Sequence, residues 1–185
     1  MEAEEVAMPA FEFSVIASGL NPRAADFETR FYEAGCDDAL VSFQNGHVIV
    51  DFSREAESFD RALASALESV AATGARIDRI EPDPLVSISD IAKRAGMTRA
   101  AISNYFRGLR GDGFPSPVAR ITSDSPLWDW ADVARWLARS GKVPTASALE
   151  AELIRQANVA VQRGEVRVGP FLRERAERYE LELCA

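Results

Sequence analysis

The chain has 185 residues, 47% of them hydrophobic, which suits one ordinary domain or two small ones plus an extension. Its net charge of −8 argues against a surface coated for nucleic acid, because phosphate binding draws on clustered Lys and Arg that displace counterions. The charge is unevenly distributed, however: residues 1–84 carry 6 basic and 17 acidic side chains, residues 85–142 carry 9 and 5, and residues 143–185 carry 6 and 7. Only the middle segment is net basic. Cys36 and Cys184 stand far apart with no CxxC or Cys/His ligand spacing, so neither structural zinc nor a disulfide framework is expected. No run approaches the roughly 18 apolar residues of a membrane span. The acidic start MEAEEVAMPA lacks the basic and apolar regions of a signal peptide. A cytoplasmic protein with no membrane association is the expectation.

In the first 84 residues, Phe11, Phe13 and Val15 alternate with polar positions, and Asn21-Pro22 then breaks the run, as for a half-buried strand meeting a turn. Ala24, Phe27, Phe31 and Ala34 recur at helical spacing ahead of Gly35. Ala39–Phe43 and His47–Phe52 are two apolar runs around Asn45-Gly46, the pattern of a tight hairpin. Phe59, Leu63, Ala66, Leu67 and Val70 form one stripe of a helix over residues 58–73, closed by Gly74. Residues 76–80 read as a last short strand before Glu81-Pro82-Asp83-Pro84. Strand, helix, hairpin, helix, strand is the order of a ferredoxin-like βαββαβ domain, so residues 1–84 are assigned as an acidic α+β unit of that type. The fold is silent on activity.

His47, the sole histidine, lies beside the hairpin turn, and catalysis would require a nucleophile and an orienting carboxylate within its reach. Cys36, Asp37 and Asp38 are near in sequence but across a helix end. Glu33, Asp37, Asp38 and Asp51 lack the register of a calcium loop and read as a solvated acidic face. With no Gly-rich phosphate loop, ligand cluster or triad, no enzyme, catalytic residue, metal or cofactor is expected.

From Ser87 the character changes. Ser87-Ile88-Ser89-Asp90 resembles a capping box, and a helix is predicted over Ser89–Ala95 with Ile91, Ala92 and Ala95 buried. Gly96 supplies a turn. Thr98 then caps a second helix with Ala101, Ile102 and Phe106 inward and Arg99, Ala100, Ser103, Asn104 and Arg107 outward. The run Ile91-Ala92-Lys93-Arg94-Ala95-Gly96-Met97-Thr98, followed by Ile102-Ser103, resembles the helix-turn-helix of bacterial repressors.

The next thirty residues extend the resemblance. Gly111-Asp112-Gly113-Phe114-Pro115-Ser116-Pro117-Val118, an extended Ala119–Thr122, a polar turn at Ser123–Pro126 and Leu127–Trp130 predict a β-hairpin. Asp132–Leu137 continues as a helix. Together they are similar to the winged helix of MerR-like and excisionase-like regulators, giving a winged helix-turn-helix over residues 85–142. Phe114, Val118, Ile121, Leu127, Trp128 or Trp130, Val133, Trp136 and Leu137 would hold the wing to the core. The resemblance implies double-stranded DNA as partner. Arg99, Ala100, Ser103 and Asn104 would meet base edges, Lys93, Arg94, Thr98, Tyr105 and Arg107 phosphates, and Arg110 and Arg120 the backbone or minor groove. The acidic Asp124 at the wing tip departs from the usual pattern and weakens the case for deep minor-groove entry.

Residues 143–185 read as a helical extension. Ser147-Ala148-Leu149-Glu150 looks like a second capping box, ahead of a stripe of Leu149, Leu153, Ile154, Ala157, Ala160 and Val161. After Gly164, Gly169-Pro170 opens a last helix with Phe171, Leu172, Tyr179 and Leu183 for docking. The extension would either lie back on the winged domain or pair with a second copy, and a homodimer on an inverted repeat is expected. The function expected is a transcriptional repressor or autoregulator. The alternative is an adaptor or antitoxin that neutralises a protein partner through the acidic first domain.

Overall fold

The computed structural model describes residues 8–184 of a mixed α+β chain. The chain divides into two compact units, one ending at Pro82 and taking in Gln156–Arg175, the other comprising Asp83–Arg155 and the residues from Ala176 onward. The last two helices, expected as a separate extension, therefore supply residues to both units.

The first unit holds β1 (Ala10–Ser18), α1 (Phe27–Glu33), β2 (Ala39–Gln44), β3 (His47–Glu55), α2 (Phe59–Ala72) and β4 (Arg76–Glu81). Its four strands form one antiparallel sheet in the order β2-β3-β1-β4. Alternation sets the inner face: Phe13, Val15 and Ala17 of β1 and Val48, Val50 and Phe52 of β3 are buried. The apolar stripe of α2, Phe59, Leu63, Ala66, Leu67 and Val70, is buried, and Phe59 meets Phe13 edge-on at 5.7 Å between ring centroids.

Arg54 also lies on this inner face and is buried with its charge matched. Its Nε and Nη2 donate to the two Asp38 oxygens at 2.7 and 2.8 Å, Nη1 donates to Ser65 Oγ, and Nη2 donates to the Gly35 carbonyl. The bidentate pair ties the turn after α1 to β3, and the bond to Ser65 brings in α2. The helix expected from Ala24 starts only at Phe27. Ala24 N–H donates to Asn21 O, and Asn21 Oδ1 accepts from Arg23 N–H, so the Asn-Pro segment uses these groups in local turns.

The second unit contains β5 (Leu85–Val86), α3 (Ile88–Arg94), α4 (Arg99–Phe106), β6 (Trp128–Asp129) and α5 (Trp130–Arg139). Its core gathers Val86, Ile91, Ile102, Tyr105, Trp128, Val133 and Leu137, with Tyr179 from the C-terminal residues. The helix α6 (Thr145–Gln162) begins two residues before the expected capping box, which leaves Ser147 inside it. The last helix, α7 (Gly169–Cys184), starts at the Gly-Pro pair as anticipated. In its final turns Glu182 accepts from Arg135 at 3.2 Å, and its carbonyl accepts from Arg139 at 2.9 Å.

The predicted hairpin is mostly absent. Residues 107–127 form a loop in which Ala119 and Leu127 make an isolated antiparallel bridge. The strand around Trp128 pairs instead with Leu85-Val86, two residues at the start of the second unit to which the sequence assigns no strand. The two-stranded arrangement leaves Val118 and Ile121 exposed rather than packed on the core, while Trp128 is fully buried and its Nε1 donates to Pro115 O at 3.0 Å. Among the described residues no helix is long and apolar enough to cross a membrane.

Candidate nucleic-acid interface

Local capping positions the candidate side chains. Ser87 accepts from Asp90 N–H, and the Asp90 carboxylate accepts from Ser87 N–H at 2.8 Å, a reciprocal box at the start of α3. The Ser87 hydroxyl and backbone, with Arg94 and Lys93 nearby, hold the Asp90 carboxyl below its ordinary value. At the other end Met97 N–H donates to Ala92 O at 2.8 Å across Gly96, whose φ of 63° is the left-handed conformation that closes such a helix end. Thr98 then restarts the helix, its Oγ1 accepting from Ala101 N–H at 3.1 Å.

Helical geometry divides α4 cleanly. Ile102 and Tyr105 are buried. At 3.6 residues per turn, Arg99, Ala100, Ser103, Asn104 and Arg107 fall on the opposite side within an arc of about 140°. Arg99, Ala100, Asn104 and Arg107 are exposed and Ser103 is half-buried. Among the described residues, neither Arg99 nor Arg107 has a side-chain hydrogen bond or a carboxylate partner.

Two residues sit differently from expectation. Tyr105, expected outward near phosphate, is 3% exposed. Its ring packs at 5.0 Å from Trp136 and 6.3 Å from Phe114. Phe106, expected inward, is 42% exposed and lies edge-on to Trp128 at 5.0 Å. The core side of α4 is therefore centred on residues 102 and 105 rather than 102 and 106. Arg94 is half-buried with its guanidinium 5.3 Å from the Trp130 ring, so it packs on α5, whereas Lys93 is exposed.

The loop after α4 carries the remaining cations. Arg110 is exposed, 5.8 Å from the Tyr105 ring. Arg120 is exposed at a turn with φ 50°, where its carbonyl accepts from both N–H and Oγ of Ser123. Sequence reasoning missed Lys142, whose amine lies 5.3 Å from the Tyr105 ring and 5.2 Å from that of Trp136. It follows a helix end at Gly141 and had no motif to mark it. Family models, curated proteins and solved structures yield no match to the chain.

The residues weighed for catalysis do not converge. His47 Nδ1 lies 3.3 Å from Asp78 Oδ2, and that carboxylate also accepts from Ser18 and Arg76. Cys36 is buried, and burial pushes its thiol up to about 11, which leaves it protonated at neutral pH. Asp38 is bound by Arg54, and Asp51 accepts from Ser14 Oγ.

Proposed function

We propose that the chain is a sequence-specific DNA-binding regulator, a repressor or autoregulator, whose helix α4 enters the major groove. The observation that carries this reading is the outward face of α4. A capped helix, anchored by Ile102 and Tyr105, presents Arg99, Ser103 and Asn104 together, with exposed arginines beside it. Arg pairs guanine and Asn pairs adenine through two hydrogen bonds each, which makes this face chemically suited to base edges. Lys93, Arg107, Arg110, Arg120 and Lys142 supply the charge that phosphate contact requires.

In this reading the second unit is a reduced winged helix-turn-helix. Its wing is the long loop closed by the Ala119–Leu127 bridge. Arg94 and Tyr105 support the helices rather than touch phosphate. The first unit is a ferredoxin-like domain, since β2-β3-β1-β4 with two crossover helices is the strand order of that arrangement. Its acidic excess disfavours phosphate contact, so DNA binding falls to the second unit.

Fluorescence anisotropy with a labelled duplex from the region upstream of the protein's own coding sequence tests the reading. Binding that weakens steeply with added salt, and that an unrelated duplex competes for poorly, is the expected result. No binding, or equal binding to every duplex, contradicts it.

A further inference from the structure

We propose that β2 is a self-association edge, on which β2 of a second copy of the chain adds antiparallel and in register around Val41. The sheet has two edges, and they are treated differently. On β4, Asn158 of α6 takes the place of a neighbouring strand: its Nδ2 donates to Ile80 O at 3.0 Å and its Oδ1 accepts from Ile80 N–H at 2.8 Å, in a buried contact. Among the described residues β2 has no such cover.

The register of the β2–β3 hairpin identifies the groups that are free. Gln44–His47 flanks a two-residue turn, so Gln44–His47, Ser42–Ile49 and Leu40–Asp51 are the hydrogen-bonded pairs. Val41 and Phe43 therefore direct both their N–H and C=O away from β3, and Ala39 directs its C=O. The Ala39 N–H is already engaged with Cys36 O at 3.2 Å.

Edge strands are normally guarded by charge, proline or a bulge. Here the strand is Ala-Leu-Val-Ser-Phe-Gln, without a charge or a proline. Leu40 is 70% exposed and Phe43 48%, and Tyr32 on α1 is 70% exposed.

The occupant follows from self-complementarity. An antiparallel edge matches its own copy across a twofold axis, donor to acceptor. Centring the pair on Val41 sets Phe43 opposite Ala39 of the second copy, Leu40 opposite Ser42, and Gln44 opposite Asp38. No carboxylate then faces a carboxylate, although the surrounding domain is strongly acidic. Ala39 and Val41 also line a groove of about 450 Å³ with Phe31, Tyr32 and Cys36. Phe43 shares the sheet face of Ala39 and Val41, so in this register the Phe43 ring of each copy fills the groove of the other.

The test is the molar mass of the full-length chain in solution, measured by light scattering without DNA, for the wild type and two variants. Val41→Pro removes an outward N–H and leaves the β2–β3 hydrogen bonds in place. Phe43→Glu puts a charge in place of the ring that fills the groove, which Glu28 and Asp37 of the second copy also line. The wild type is expected at twice the mass of one chain, and each variant at the mass of one, with circular dichroism showing both variants folded. Leu181→Glu, at an exposed apolar residue elsewhere, is expected to stay dimeric. A wild type that is monomeric, or a dimer that survives Phe43→Glu, overturns the proposal. A β2 edge that instead accepts a strand from another protein appears as a monomeric wild type. Because no DNA is present, the result is independent of the DNA-binding reading.

Discussion

Tyr105 illustrates how a single side chain reorganises the candidate interface. Its ring lies among Trp136 and Phe114 and under the charges of Arg110 and Lys142, so it joins the loop after α4 to the core of the second unit. Tyr105→Ala is expected to cost about 3–5 kcal/mol in chemical denaturation, the range for removing a buried aromatic side chain. Gly111 faces the same cluster. A Cβ added there lies 3.3 Å from Trp136 Cζ2, and the backbone already has a φ of 69°. Gly111→Ala should therefore cost roughly 1–2 kcal/mol, read from the shift of the urea midpoint at unchanged slope. Asp90 adds a pH dependence. It titrates lower in the folded chain than its ordinary value, so its stabilisation is present above the usual aspartate range and disappears as pH falls through the folded value. The stability of Asp90→Asn should lack that acid-dependent component in unfolding curves taken at stepped pH.

At the scale of elements, helix caps and strand edges decide where the chain turns. The boundaries of α3 and α4 were legible because Ser87, Asp90, Gly96 and Thr98 act locally, within three or four residues of the groups they satisfy. Thr98→Ala leaves the Ala101 N–H without its cap, at about 1 kcal/mol of stability measured by thermal unfolding. β5 was invisible for the opposite reason. Leu85-Val86 is two residues long, and it becomes a strand only because Trp128-Asp129 arrives beside it some forty positions later. The expected hairpin is reduced for the same reason: Ala119–Thr122 and Leu127–Trp130 were expected to pair with each other, yet they keep only the Ala119–Leu127 bridge and the strand that takes Trp128 is β5. Asn158 stands on a helix without any motif around it, and nothing in sequence announces that its amide closes the edge of β4. Removing that amide leaves a buried N–H and C=O of Ile80 unpaired. Asn158→Ala should thus cost about 1–3 kcal/mol, visible as faster amide exchange along β4.

For the whole molecule, charge separation links sequence to function most directly. The acidic excess before residue 85 and the basic excess after it were readable from composition, and the structure divides near that point, after Pro82. The outward residues Arg99, Ala100, Ser103 and Asn104 were legible from helical spacing alone, since a helix anchored by Ile102 must turn them away. Tyr105 was misplaced because Tyr105 and Phe106 compete for one inward position, and the aromatic pocket that selects Tyr105 is built from residues far along the chain. Lys142 and Arg94 acquire their surroundings in the same non-local way. The central claim is that the exposed face of α4 reads DNA sequence, and the most direct measurement compares wild type, Arg99→Ala and Asn104→Ala on the preferred duplex and on a scrambled one at fixed salt. Each substitution is predicted to lose roughly 1–3 kcal/mol on the preferred duplex and much less on the scrambled one, so that the preference narrows. Equal losses on both duplexes, or unchanged binding by both variants, contradict the claim.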